Sequence, residues 1–348
     1  MTNSTQVAWG MLSKACLLIV ASTSVAMAQT QPNPPTGLTI DGGTTVPGTP
    51  LPGLLFSDNF NYVVNKFDSA ETKLAQFSAA GWSGLKDEQT QPGRRANGYM
   101  YTRTDAPGCG PAPSGRMLTM EGLPGSLGGQ TDFYLQLGNG TAGSIPARVF
   151  VQFDLCTSRA GGEMSDVASV QDKLIYPLFG SRDGYPTAVQ DAAWLQTIST
   201  SAYRGGTMIQ RPEPGAFTFV NISYASADGP RALISDQVNA GAGHLMSPNI
   251  GDPWIRPNRW YTVRFLYDVS GDQGIHRIWV GSQGQPLGLI ADFTGGVTSG
   301  FTYRTAPLDR RGAKLLRIPT TWGSDTGGPD RWINIDNLRL ATSEDALR

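Results

Sequence analysis

The chain has 348 residues, with 43 Gly, 24 Pro and only 16% charged side chains, a composition that turns often and leaves little room for long helices. Its 27 Lys and Arg nearly balance its 28 Asp and Glu, so it lacks the basic surface that a phosphate backbone needs, and nucleic acid is not expected as a partner. Only two histidines are present, which excludes a multi-histidine metal site.

In chain order, the first feature is Lys14, followed by an apolar stretch from Ala15 to Val25 and then Val25-Ala26-Met27-Ala28-Gln29. That order predicts a signal peptide at 1–28, cut after Ala28. Ser and Thr interrupt the apolar run, which falls short of the roughly 20 residues a bilayer-spanning helix needs. The expectation is therefore a secreted or extracytoplasmic protein, in the periplasm or at the cell exterior, with no membrane span after cleavage. Lys14 stands inside the window of a lipobox ending at Cys16, which argues against a lipid anchor. Loss of Cys16 with the leader leaves Cys109 and Cys156. In an oxidising compartment they form one disulfide or remain two buried thiols.

Residues 29–53 are rich in Pro, Gly and Thr with almost no charge, and read as a tether. A single domain is expected over 54–348. It opens with a short strand at 54–60, and 64–80 is the one stretch where a helix is expected. Strand patterns follow at 116–121, 132–137, 147–156, 173–179, 193–200, 216–225, 260–269, 275–280, 287–293, 314–318 and 332–340. Within 147–156 alternation assigns faces. Val149, Val151, Phe153 and Leu155 point to a core, while Arg148, Phe150, Gln152 and Asp154 form a mixed polar and aromatic face of the kind that meets solvent or ligand. Many short strands with no βαβ rhythm and no repeat predict an all-β, antiparallel two-sheet sandwich.

Three segments resemble the concanavalin A-like lectin/glucanase jelly roll, especially its polysaccharide-lyase and laminin-G-like branches. Phe56-Ser57-Asp58-Asn59-Phe60 is similar to the first strand of such domains. Asn258-Arg259-Trp260-Tyr261-Thr262-Val263-Arg264-Phe265 with His276-Arg277-Ile278-Trp279-Val280-Gly281 resembles an adjacent strand pair, and Trp332-Ile333-Asn334-Ile335-Asp336-Asn337-Leu338 resembles the closing strand. The resemblance implies a jelly roll over most of 54–342, a sheet that binds polysaccharide or another glycan, and often a structural Ca²⁺. Asp58 and Asp336 are the candidate oxygen ligands for that ion; the other reading has them capping turns or accepting backbone hydrogen bonds. No further cofactor is required. Trp260 and Trp279 are expected to fill space between the sheets.

The Glu-x-Asp-x-x-Glu strand of the retaining glucanases is absent, and so are the Gln-Ile-His triplet of alginate lyases, a Gly-x-Ser-x-Gly elbow and a zinc helix. A lyase needs a cation or amide to neutralise a uronate carboxylate and a base to take the C5 proton. The candidates are Arg148, Gln152, Lys173, Tyr224 and His244, the last in a glycine-rich loop. His276, alternating with Ile278 on a strand, is expected to be structural. Lys173-Leu174-Ile175-Tyr176-Pro177 loosely resembles a Lys-Leu-Pro strand of lyase relatives. Tyr176, Trp194, Tyr203 and Trp254 are candidate sugar contacts. Two functions stay open: a polysaccharide lyase acting on an acidic glycan, and a non-catalytic glycan-binding or surface-interaction module.

Overall fold

A computed structural model describes residues 52–87, 98–122, 133–141, 143–159, 171–173, 175–178, 195–200, 203–204, 207–208, 218–223, 245–246, 255–268, 270–271, 275–292, 297–298, 301–302, 309–319 and 331–348. All belong to the unit Thr39–Arg348. The expected leader, nearly all of the tether, and Trp194, Tyr224, His244 and Trp254 lie outside the described residues.

The strands in chain order are β1 Leu54–Asp58, β2 Gly84–Asp87, β3 Gly98–Arg103, β4 Asp105–Ala106, β5 Gly110–Pro111, β6 Met117–Gly122, β7 Phe133–Leu137 and β8 Arg148–Arg159. They continue with β9 Gln171–Lys173, β10 Tyr176–Leu178, β11 Leu195–Thr200, β12 Tyr203–Arg204, β13 Thr207–Met208, β14 Thr218–Ser223 and β15 Leu245–Met246. The last are β16 Tyr261–Asp268, β17 Ile275–Ser282, β18 Gly288–Asp292, β19 Val297–Thr298, β20 Phe301–Thr302, β21 Leu315–Pro319 and β22 Arg331–Ala341.

The largest sheet has eight strands in the order β18-β17-β16-β8-β22-β6-β3, with β1 also paired to β22. Two four-stranded sheets, β10-β21-β7-β2 and β15-β14-β11-β9, accompany it. Every strand pairing described is antiparallel, as an all-β sandwich requires.

Alternation along the strands builds the core. Val149, Val151, Phe153 and Leu155 of β8 are all buried in one cluster with Val263, Phe265 and Tyr267 of β16 and Ile333 and Ile335 of β22. The same cluster contains Phe133, Leu135 and Leu137 of β7 and Leu316 and Ile318 of β21. The inner faces of the eight-stranded sheet and of the β10-β21-β7-β2 sheet thus share one apolar interior, each large side chain adding about 1.5–3 kcal/mol by leaving water.

The opposite face of β8 differs in part from its expected character. Phe150 is buried with Leu266, Ala341, Ala346 and Leu347 in a second, smaller cluster, because the 3₁₀ turn Asp345–Leu347 folds back over that part of the sheet. Trp260 and Trp279 are likewise not between the sheets. Trp279 packs against this outer cluster, and Trp260 packs beside Ala106, Ala112 and Met117 with its Nε1–H donated to the Cys109 carbonyl at 3.1 Å. Trp279 is the cross-strand partner of Arg264, on the face opposite the core residues Val263 and Phe265. His276 is buried, stacked on Tyr267 with ring centroids 4.6 Å apart, in the structural role expected.

Two boundaries moved. The helix α1 runs only over Ala70–Ala79, since Ser69 accepts the Thr72 N–H and caps it, while Asn65 donates its backbone N–H to Asp68 and holds the chain before it in a turn. The expected strand 173–179 is two, β9 and β10, in different sheets. Pro177 has no N–H to donate, and β10 is an edge strand, the one place a sheet tolerates that.

Cys109 and Cys156 form a disulfide with Cα atoms 6.2 Å apart. It ties the turn between β4 and β5 to β8, next to the closing strand.

Candidate functional site

The outward face of the β10-β21-β7-β2 sheet gathers polar groups by register. Along β7, Phe133, Leu135 and Leu137 point inward, leaving Tyr134 and Gln136 half-buried on the other side. Along β21, Leu316 and Ile318 are buried, while Arg317 is not. Gln136 is the cross-strand partner of Arg317, and Tyr134 that of Lys86 on β2. The Arg317 guanidinium lies 5.4 Å from the centroid of the Tyr134 ring, and the Lys86 ammonium 5.6 Å. Two cations therefore attend one phenol ring. Arg317 Nε is buried and has no hydrogen-bond partner among the described residues. A cation with an unanswered N–H beside an amide is suited to an incoming carboxylate.

Of the residues expected at a site, Tyr176 pairs directly with Arg317 and so occupies this sheet. Arg148 and Gln152 stand on the outer face of the eight-stranded sheet instead. Arg148 forms an ion pair with Asp268 at 3.5 Å, and the Gln152 carbonyl accepts from Arg264 Nε at 2.9 Å and Nη2 at 2.8 Å. Lys173 belongs to β9, paired with Ile198. Tyr203 is paired with Met208 in a two-stranded ribbon.

Asp58 and Asp336 are both buried, each surrounded by donors. Asp58 accepts from the backbone N–H of Phe60 at 2.7 Å, the Tyr62 hydroxyl at 2.7 Å and Trp82 Nε1 at 2.6 Å. Asp336 accepts from the Ser114 N–H at 2.8 Å, the Ser114 hydroxyl at 2.6 Å and the Asn337 N–H at 2.7 Å. Burial raises the pKa of both carboxyls, and these donors oppose the rise. N–H and O–H donors occupy the positions where a calcium ion would need oxygen ligands, and among the described residues no group of three His, Cys, Asp or Glu could hold a metal. The pair does not fit a calcium site, and no chemistry is derived through one.

The group missed from sequence was Tyr134, Gln136, Arg317 and Lys86. The available signal was the alternation Phe-Tyr-Leu-Gln-Leu over 133–137, which sets a tyrosine and an amide on the face opposite three core residues.

No family model and no curated protein matches the chain. Solved structures do match. An alginate lyase from Chlorella virus aligns at a TM-score of 0.40 and 9% identity, over 81% of this chain and 100% of that one. The marine PL7 alginate lyase AlyA1 from Zobellia galactanivorans aligns at 0.36 and 10%, over 73% and 86%. The carbohydrate recognition domain of Emp46p in its potassium-bound form aligns at 0.38 and 9%, over 83% and 97%.

Proposed function

We propose that the chain is an exported, carbohydrate-active jelly-roll protein that binds an acidic glycan on the outward face of the β10-β21-β7-β2 sheet and cleaves it by β-elimination. The observation that carries this reading is the arrangement of Arg317, with its unanswered Nε, and Lys86 about the ring of Tyr134, with Gln136 opposite Arg317.

In this reading Arg317 and Gln136 hold a uronate carboxylate and neutralise the charge that builds on it as the C5 proton leaves. Tyr134, as phenolate, takes that proton. The C5–H electron pair becomes the C4–C5 double bond, the C4–O4 bond breaks onto oxygen, and the phenol returns the proton to O4. Tyr176, paired with Arg317, belongs to the same sugar-binding surface. Tyr224 and His244 are the further candidates for proton transfer.

The test incubates the full chain with a panel of uronate-containing polysaccharides and follows the far-ultraviolet absorbance of unsaturated ends. Unsaturated product that disappears in Arg317→Ala and Tyr134→Phe supports the reading, and Tyr224→Phe and His244→Ala report on the remaining candidates. Retention on an acidic glycan that depends on Arg317, without any unsaturated product, would make the protein a non-catalytic binding module. If there is no product and no retention, the proposal is overturned.

A further inference from the structure

Gly84 opens β2, the edge strand beside β7, and ends the outward row Arg317–Gln136–Gly84 without a side chain. A glycine in a strand weakens it, because it brings conformational freedom and nothing to pack. Two structural causes commonly keep one there. One is a left-handed backbone, as at Gly138 just after β7, where φ is 109°; Gly84 has the ordinary extended backbone of a strand. The other is close approach of neighbouring main chain. A Cβ on Gly281 of β17 would stand 2.6 Å from the Pro286 carbonyl oxygen. A Cβ on Gly84 would meet the Gln136 side chain at 3.5 Å from Oε1 and 3.9 Å from its Cβ, which is ordinary contact, and no main chain within 4 Å. Neither cause applies to Gly84.

What the missing side chain leaves is a low place in the row, on a fixed floor. Leu85 packs against the core, so Gly84 and Lys86 on either side of it face outward. Ser83 donates its N–H at 2.9 Å and its hydroxyl at 3.0 Å to the Gln136 carbonyl, and the preceding Trp82 is buried with its Nε1 bonded to Asp58. The other end of the row carries the buried Arg317 Nε, which has no hydrogen-bond partner among the described residues. From Arg317 to Gly84 the row crosses two strand spacings, about 10 Å, more than one pyranose ring covers. The exposed Lys86 borders the low end.

We infer that Gly84 is a specificity-determining position, bare so that the sugar adjoining the uronate held by Arg317 and Gln136 lies across β2, which makes the ligand a run of consecutive uronates. The inference rests on the acidic-glycan reading of this face and adds a length to its charge. A single or terminal uronate would engage Arg317 and Gln136 and gain nothing from an empty position two strands away. The cation of Lys86 beside that position suits a second carboxylate, so the adjoining unit is itself acidic.

The experiment is affinity electrophoresis of the full chain through gels containing alginate or polygalacturonate, two polyuronates, with uronate monomers and short oligouronates as competitors. The unmodified chain is run beside a Tyr134→Phe parent that consumes no ligand, and the Gly84 variants are made in that parent. Both chains are expected to be retarded, and competition should strengthen once the competitor exceeds one unit. Gly84→Leu should weaken retardation at least about tenfold, the scale of an extra group in a binding site, and should abolish the gain with length. Gly84→Ala should weaken retardation less while holding or raising the urea midpoint, since alanine suits a strand better than glycine and has room. Retardation of Gly84→Leu equal to the parent's with the gain intact, or a lowered urea midpoint in Gly84→Ala, would overturn the inference. In either case retardation lost in Arg317→Ala would leave the acidic-glycan reading standing. No retardation of the unmodified chain in either gel would overturn that reading, and this inference with it.

Discussion

The ammonium of Lys73, wholly buried, donates to the carbonyl of Met100 at 3.0 Å. Met100 lies on β3, at the edge of the eight-stranded sheet. A second donation, to the Lys66 carbonyl at 2.8 Å, pins the segment before α1 to that edge. A bare edge carbonyl inside the fold would cost about 1–3 kcal/mol, and the lysine answers it with a charge that burial disfavours.

That burial lowers the pKa of Lys73 to about 8; Asp68 and Asp87 pull it back up, and Lys66 pushes it further down. The folded value lies below the ordinary 10.5, so between these values the unfolded chain binds more protons than the native one. Stability should therefore rise as pH increases from about 8 towards 10.5, the penalty for burying the charge being complete below that window. Urea midpoints across this range check it. Lys73→Met should flatten the slope, and Lys73→Ala should cost about 2–4 kcal/mol at neutral pH through the lost side-chain stem.

Asp58 is the shared acceptor for Phe60, Tyr62 and Trp82. Asp58→Ala should destabilise the fold by about 3 kcal/mol at pH 7, since it leaves buried donors unmet. Burial raises its pKa, so the native state holds its proton to higher pH than the unfolded chain does. The stabilising contribution of the protonated form is complete below the ordinary carboxyl value and is lost as pH rises through the raised one. Denaturant midpoints of the wild type and Asp58→Asn over the acid range measure that difference.

Reduction of the Cys109–Cys156 bridge, which spans 47 positions, should lower stability by about 4 kcal/mol from loop entropy alone. Guanidinium titrations with and without reductant report it, and Cys109→Ser/Cys156→Ser should match the reduced wild type. Trp260, bonded to the Cys109 carbonyl, gives a fluorescence signal local to the change.

For the proposed elimination, Arg317→Ala should lower kcat/KM about 10²–10³-fold by removing the group that neutralises the carboxylate. Arg317→Lys should recover part of it, because an ammonium supplies charge without the planar fork. Tyr134→Phe should depress kcat by about 10²–10⁴ with little change in KM. Steady-state kinetics on unsaturated product release separate the two.

Much of the fold was legible because two-residue alternation is a local property. Val149, Val151, Phe153 and Leu155 could be assigned to the core from spacing alone, and they lie there. The fate of Phe150 was not legible, because its cover comes from Leu347, far away in the chain. Pro177 gave a readable sign that the 173–179 pattern would break, yet which sheet each half joins depends on Arg317 and Ile198, partners that no local window contains. The Arg317–Tyr134–Gln136 group was hidden for the same reason: β7 and β21 are each plain in the sequence, but only their register brings a guanidinium to a phenol.

The closing strand β22 pairs with β8 on one side and with β6 and β1, end to end, on the other. Strands β1, β6 and β8 thus wait for a segment far later in the chain before the eight-stranded sheet can close. Such distant pairing slows folding and prolongs exposure of unpaired edges. Any truncation that removes 331–341 would leave β1, β6 and β8 without their shared partner.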